Sequence, residues 1–411
     1  MPAARAHRLR QVEPFLAMEV LERALELERA GAAVVHLEVG EPDFPPPACA
    51  TEACIEALHR GVTHYTDSRG TARLREAIAR DLAARFPVRG GSVDPARIVV
   101  TMGTSPAMLL VFEALLDPGD EVVLGTPHYP CYPNFVRVCG GVPVLVETDP
   151  ADGYRLDPER VARAISPRTK AIVVNSPANP TGAVQSRATL EALAALGPTL
   201  VSDEIYDGLV YDGARTASAL EVTDDAFVLD GFSKRYAMTG FRLGWVVAPS
   251  AFARDLQVLQ QSLFISASSF AQEAAVAALE GGAADVAHMR DGYARRRDRL
   301  VAGLRALGFG VPRAPQGAFY VLADARPVAG PRADSRALAF ALLEQAGVGV
   351  APGVDFGAAA EGWLRFCYAV ADDAIDEALA RIADALPRLA DAARASAPPV
   401  TPPVAPAERA R

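Results

Sequence analysis

The stretch Ala171-Ile172-Val173-Val174-Asn175-Ser176-Pro177-Ala178-Asn179-Pro180-Thr181-Gly182 runs four apolar residues into a loop rich in asparagine and proline. A short unbroken apolar run that stops at such a loop reads as a strand buried on both faces. Working outward, the same pattern recurs at residues 98–101, 121–124, 142–146, 200–203, 227–229 and 245–248. Helical spacing fills several of the intervals, as at residues 70–86 and 107–116. Apolar strands alternating with helices predict an α/β fold, a mostly parallel sheet lying between helical layers. Residues 46–285 are expected to form this large domain. A smaller α+β domain is expected from residues 14–45, with a helix near 15–28 and a strand over 34–39, together with residues 286–395. Residues 1–13 read as a flexible arm, and the proline- and alanine-rich residues 396–411 as a disordered tail.

Polar residues gather where these strands end, the edge at which α/β sheets place ligands. After 171–174 comes Asn179. The next strand ends in Ser202-Asp203-Glu204-Ile205-Tyr206, and a later one leads into Gly231-Phe232-Ser233-Lys234, followed by Gly240-Phe241-Arg242. Upstream, Thr101-Met102-Gly103-Thr104-Ser105 carries a strand into a helix start, whose free amides and dipole suit a phosphate.

Lys234 stands out by composition. Of 41 basic residues, Lys170 and Lys234 alone are lysine. A guanidinium stays protonated, whereas an ammonium can be desolvated, lose its proton and attack a carbonyl. Lys234 is therefore a candidate Schiff-base lysine, and Lys170, ahead of an apolar run, an ordinary solvated one. The basic run Arg295-Arg296-Arg297-Asp298-Arg299 reads as a solvated helix face.

The net charge of −9 argues against a nucleic-acid or membrane-surface role. Five cysteines without a Cys-x-x-Cys pair suggest reduced thiols and a cytoplasmic setting. No Cys/His cluster has metal-ligand spacing, so no metal is expected. Residues 1–13 lack the apolar segment of a secretory leader, and no apolar run is long enough to span a membrane.

In this order and spacing, Asn179-Pro180-Thr181-Gly182, Asp203-x-x-Tyr206, and Ser233-Lys234 with Gly240-x-Arg242 resemble the class I/II aminotransferases, fold-type-I enzymes that use pyridoxal 5′-phosphate. The resemblance extends from about Gly40 to Tyr368. It implies that Lys234 carries the cofactor and moves the substrate proton, and that Asp203 faces the pyridine nitrogen. It further implies that Tyr206 and Asn179 bond the ring oxygen and that Tyr129 stacks on the ring. Arg242, with Gly103, Thr104, Ser105 and Ser233, would hold the phosphate. Arg365, in Trp363-Leu364-Arg365-Phe366, would clamp the substrate α-carboxylate beside Gly40. Tyr65 would reach the phosphate of a second subunit, implying a homodimer with shared sites. Gln316-Gly317-Ala318-Phe319-Tyr320 and the segment 351–357 fit the family and read as structural.

The sequence departs from the family at two positions. Gly231 stands where many relatives have a phosphate-binding serine, and Ser105 where one dicarboxylate-specific subgroup has a lysine. The implied activity is ping-pong amino transfer between an L-amino acid and a 2-oxo acid. A carbon–sulfur β-lyase on the same fold is the alternative. A cofactor-sensing domain of a transcription regulator is disfavoured by the acidic charge, and a Rossmann dehydrogenase by the missing Gly-x-Gly-x-x-Gly. Substrate choice is expected to fall to Phe15, Met18 and residues 264–268.

Overall fold

The computed structural model describes residues 6–395. The disordered tail expected at 396–411 lies outside them, as do residues 1–5 of the expected arm. Of the arm's remainder, His7–Arg10 form a 3-10 turn, and Glu13 and Asn134 exchange hydrogen bonds of 3.1 and 2.9 Å.

Among the described residues twelve strands follow one another: β1 Val35–His36, β2 Ile98–Thr101, β3 Glu121–Thr126, β4 Val142–Glu147, β5 Thr169–Asn175, β6 Thr199–Asp203, β7 Phe227–Gly231, β8 Gly244–Val247, β9 Tyr320–Asp324, β10 Val348–Gly349, β11 Ala351–Pro352 and β12 Trp363–Cys367. Seven form one sheet in the order β2-β8-β7-β6-β5-β3-β4. Only β8 runs against its neighbours, so the sheet is mostly parallel, and β2 again points the same way as β7. Along β5, Ile172 and Val174 join the core on one face of the sheet while Ala171 and Val173 join the core on the other. Both faces are covered, which is why the run is apolar without alternation.

A second core gathers β1, β9, β10 and β12 with the helices Ala283–Ala306 and Asp372–Ala395. Its sheets are the antiparallel β11-β12-β9 and the parallel pair β1-β10. The strand expected over 34–39 shrinks to Val35–His36. Beyond it, Leu37 still bonds Gly349 and Cys367, and the chain then carries Glu38, Val39 and Gly40 to the cavity described below.

The basic run on Ala283–Ala306 corrects an expectation. Arg297 is 2 % exposed, not solvated. It falls four residues after Tyr293 and three before Leu300, on the stripe that faces the second core. The burial is tolerated because Arg297 reaches Asp212 with both terminal nitrogens, at 2.7 and 3.0 Å, and lies over the Tyr211 ring. Among the described residues no helix is long and apolar enough to cross a membrane.

Candidate active site

The carboxyl ends of β2, β5, β6 and β7 meet at one edge of the large sheet and open on a cavity of about 320 Å³. The cavity is lined by Thr104, Ser105, Tyr129, Asn179, Asp203, Tyr206, Ser233, Lys234, Arg242 and Arg365, with the Gly40 backbone. Gly103 caps the helix Thr104–Leu115 just beside it. Strand direction explains this gathering. Each parallel strand delivers its last residues to the same edge, so side chains far apart in sequence become neighbours.

Lys234 follows β7 by three residues. Its Nζ donates to the Gly40 carbonyl at 2.6 Å and lies 5.8 Å from the Phe319 ring centre. Burial lowers its pKa to about 8, against weaker upward pulls from Cys367 and Glu41. Asp203 closes β6 on the cavity floor. Its carboxylate accepts from the Tyr132 hydroxyl at 2.6 Å and the Ile205 amide at 3.2 Å. Burial raises its pKa, and the Tyr132 hydrogen bond opposes that rise only in part.

Arg365 enters from β12. One guanidinium nitrogen donates to Asn179 Oδ1 at 3.0 Å and the other to the Glu38 carbonyl, while its plane lies between Tyr320 and Phe356, 4.4 and 4.9 Å from the ring centres. Its Nε has no partner among the described residues. Asn179 is held by Asn175, whose side chain accepts from the Asn179 amide at 2.8 Å and donates to the Asp203 carbonyl at 3.0 Å.

Gly103, at φ +100, lies against Arg242, and a Cβ there would come within 3.0 Å of Arg242 Nη2. The backbone therefore approaches that guanidinium as closely as glycine alone allows. The Gly231 departure has a steric cause of its own. A Cβ at 231 would lie 3.0 Å from both Gly244 Cα and the Leu243 carbonyl, so the β7–β8 backbones would have to give by a few tenths of an ångström to take a serine.

Several lining residues escaped the sequence reading. Tyr320, grouped there with structural residues, bonds Tyr206 hydroxyl to hydroxyl at 2.8 Å and stacks under Arg365. Tyr132 holds Asp203. Glu38 and Glu41 also line the cavity, Glu41 accepting from Thr239. Partnerships across 71 or 114 residues leave no local signal in the chain. Two expectations fall elsewhere. Tyr65 is 82 % exposed and does not line this chain's cavity, and neither does any of residues 264–268.

The donor set fits a phosphorylated pyridine aldehyde. A partly buried amine of lowered pKa suits its carbonyl, and a buried carboxylate without a cation suits a protonated ring nitrogen. Arg242 beside the open first turn of a helix suits its phosphate.

The comparisons agree with that fit. The model of the family described as aminotransferase class I and II matches residues 32–382. The aspartate/prephenate aminotransferase of Thermus thermophilus is 43% identical, covering 93% of this chain and 99% of its own. An arginine–pyruvate transaminase of Pseudomonas aeruginosa is 38% identical over 89% of this chain and 93% of its own. A solved structure of the Thermus thermophilus aspartate aminotransferase with maleate superposes with a TM-score of 0.87 at 43% identity, over 93% of this chain and 99% of that one. The sheet order, the lysine at the end of β7 and these matches lead to one conclusion: the chain belongs to the class I and II aminotransferases, enzymes that use pyridoxal 5′-phosphate to transfer amino groups.

Proposed function

We propose that Lys234 carries the cofactor and moves the substrate proton in a ping-pong exchange between an L-amino acid and a 2-oxo acid. One observation carries the reading. Lys234, Asp203 and Arg365 converge on one cavity, and among the described residues none of the three forms an ion pair. Charges buried without an ion pair are costly, and three on one cavity mark it as a site for an ionic ligand.

Pyridoxal 5′-phosphate, when bound, supplies a carbonyl for amine exchange and a ring that draws electrons from the substrate Cα. The residues supply the rest. Lys234 starts as the nucleophile, since its lowered pKa leaves part of it as free amine near neutral pH. Once freed by the substrate amine, its Nζ would act as the base that holds and moves the Cα proton. Asp203 would face the ring nitrogen and favour its protonated form, and the Tyr132 hydrogen bond favours the charged carboxylate against the upward pull of burial. Tyr206 and Asn179 would bond the ring oxygen, and Tyr129 would pack on the ring face. Arg242, Ser233 and the amides of Gly103, Thr104 and Ser105 would receive the phosphate. Arg365 receives the α-carboxylate as a planar fork, with Gly40 letting the backbone come close.

The working unit is a homodimer with shared sites. Tyr65, Leu263 and Ile265 are exposed, and the Thr66 amide donates to Ser266 Oγ at 3.4 Å, which ties their two segments together. This is the surface from which Tyr65 would reach a second subunit's phosphate. All five cysteines are free thiols, which supports a reducing, cytoplasmic setting.

Borohydride reduction of the purified protein followed by peptide mass analysis tests the reading. The cofactor mass is expected on the peptide holding Lys234, and Lys234→Ala is expected to lose both the visible absorbance and turnover. Label on Lys170, or turnover surviving in the alanine variant, would refute it.

A further inference from the structure

We infer that the side-chain end of this cavity is built for an uncharged, apolar side chain, so that both the amino donor and the 2-oxo acceptor carry a single carboxylate. The inference rests on the reading of the cavity given above.

It follows first from the cations. Those lining the cavity are Lys234, Arg242 and Arg365. Cofactor attachment takes the first, the phosphate the second, and the α-carboxylate the third. A second substrate carboxylate would meet no fourth cation among the described residues of this chain.

A helix N-terminus is the usual substitute for a cation, and one does border the cavity, at the start of Leu16–Arg29. It is already satisfied. The Leu16 and Ala17 amides donate to the two carboxylate oxygens of Asp355, at 2.9 and 3.0 Å, and the Met18 amide donates to the Phe15 carbonyl at 3.0 Å. The anion at this helix start is the chain's own, and it sits behind the wall.

What remains facing the cavity there is Phe15, Ala17, Met18 and Val39. Phe15 meets the Tyr129 ring edge-on at 5.9 Å and packs against the cluster that holds Phe356 and Trp363. Its position is therefore set by core packing. Met18 is 43 % exposed and unbranched, suited to side chains of varied shape. Of the two glutamates on the lining, Glu41 has the wrong sign for a dicarboxylate, and the Glu38 carboxylate is buried against His36 Nδ1 at 2.6 Å. In a ping-pong cycle donor and acceptor occupy the same cavity in turn, so this selection applies to both.

The test uses the holoenzyme. L-Phenylalanine, L-leucine, L-aspartate and L-glutamate are each mixed with it, and the loss of the cofactor's visible band gives kcat/KM for each half-reaction. The apolar donors are expected to lead the dicarboxylic ones by about 10- to 200-fold, the range over which an apolar pocket discriminates. Equilibrium titration with two unreactive acids gives an independent readout, with 3-phenylpropanoate expected to bind more tightly than maleate. Met18→Arg, which adds a cation to the wall at an exposed position, is expected to raise the aspartate-to-phenylalanine ratio by about tenfold. Aspartate or glutamate reacting as fast as phenylalanine, maleate binding more tightly, or an unchanged ratio in Met18→Arg would overturn the inference. In each of those cases the Lys234 reading would stand. If no amino acid of either kind alters the band, that reading fails and this inference falls with it.

Discussion

Replacing Arg365 with lysine keeps the charge and removes the fork. In the folded chain the guanidinium has both terminal nitrogens tied, to Asn179 Oδ1 at 3.0 Å and to the Glu38 carbonyl, and its plane is sandwiched by Tyr320 and Phe356. An ammonium is a compact, strongly hydrated point charge that cannot occupy a slot between two rings or present two parallel N–H groups to a carboxylate. The variant loses one charge-assisted hydrogen bond to the substrate, worth about 1.5–3 kcal/mol, which corresponds to a loss of about 10- to 150-fold in kcat/KM. Cation–π contact with the two rings contributes a further ~0.5–2 kcal/mol, and that loss is expected in the thermal midpoint rather than in catalysis. The assay is the amino-acid half-reaction, followed through the cofactor's absorbance. Cofactor affinity is expected to stay near that of the parent, because Arg365 reaches the proposed cofactor contacts only through Asn179. A kcat/KM unchanged within error, or a variant that no longer retains cofactor, would refute the carboxylate role.

Three further outcomes are expected. Asp203→Ala should still take up cofactor but cleave the Cα–H bond about 10²–10³-fold more slowly, since it removes the fixed charge opposite the ring nitrogen; deuterium exchange at Cα is the readout, and a near-parent rate would show that this carboxylate serves something else. Apoenzyme capture of cofactor should accelerate as pH rises towards about 8 and level off above it. Burial lowers the Lys234 pKa, so the reactive neutral amine accumulates from lower pH than for a free lysine; a rate still climbing steeply at pH 10 would contradict that. Gly231→Ser, although it restores the residue found in many relatives, is expected to destabilise this chain by ~1–3 kcal/mol in urea unfolding, because its Cβ would press on Gly244 and Leu243; an unchanged midpoint would mean that β7 and β8 can separate without cost.

Both layers of the large sheet were readable from the chain because burial on two faces leaves a local mark. A strand such as 171–174 must be apolar at every position, and the loop that ends it must turn. The residues after each strand share that legibility, since parallel strands deliver their ends to one edge. Asn179, Asp203, Lys234 and Arg242 were thus identifiable as cavity residues before any packing was known. Arg297 carries a local signal that its charge masks. Its spacing from Tyr293 and Leu300 put it on the buried stripe, but its charge suggested solvent.

The α/β order, the lysine after a strand and the polar residues gathered around it are legible in the chain, because each depends on a few consecutive residues. Which groups hold those residues is settled only when the chain folds. Tyr132 meets Asp203 and Tyr320 meets Tyr206 across separations of 71 and 114 residues, and Asp355 fills the helix start beside Phe15 from 339 residues away. Such pairings are set by how two separately packed cores come together, and a hydroxyl or carboxylate carries no trace in its own neighbours of the partner it will find. The same holds for Lys234. Its place in the chain made it a candidate, and its burial in the folded protein lowers its pKa to about 8.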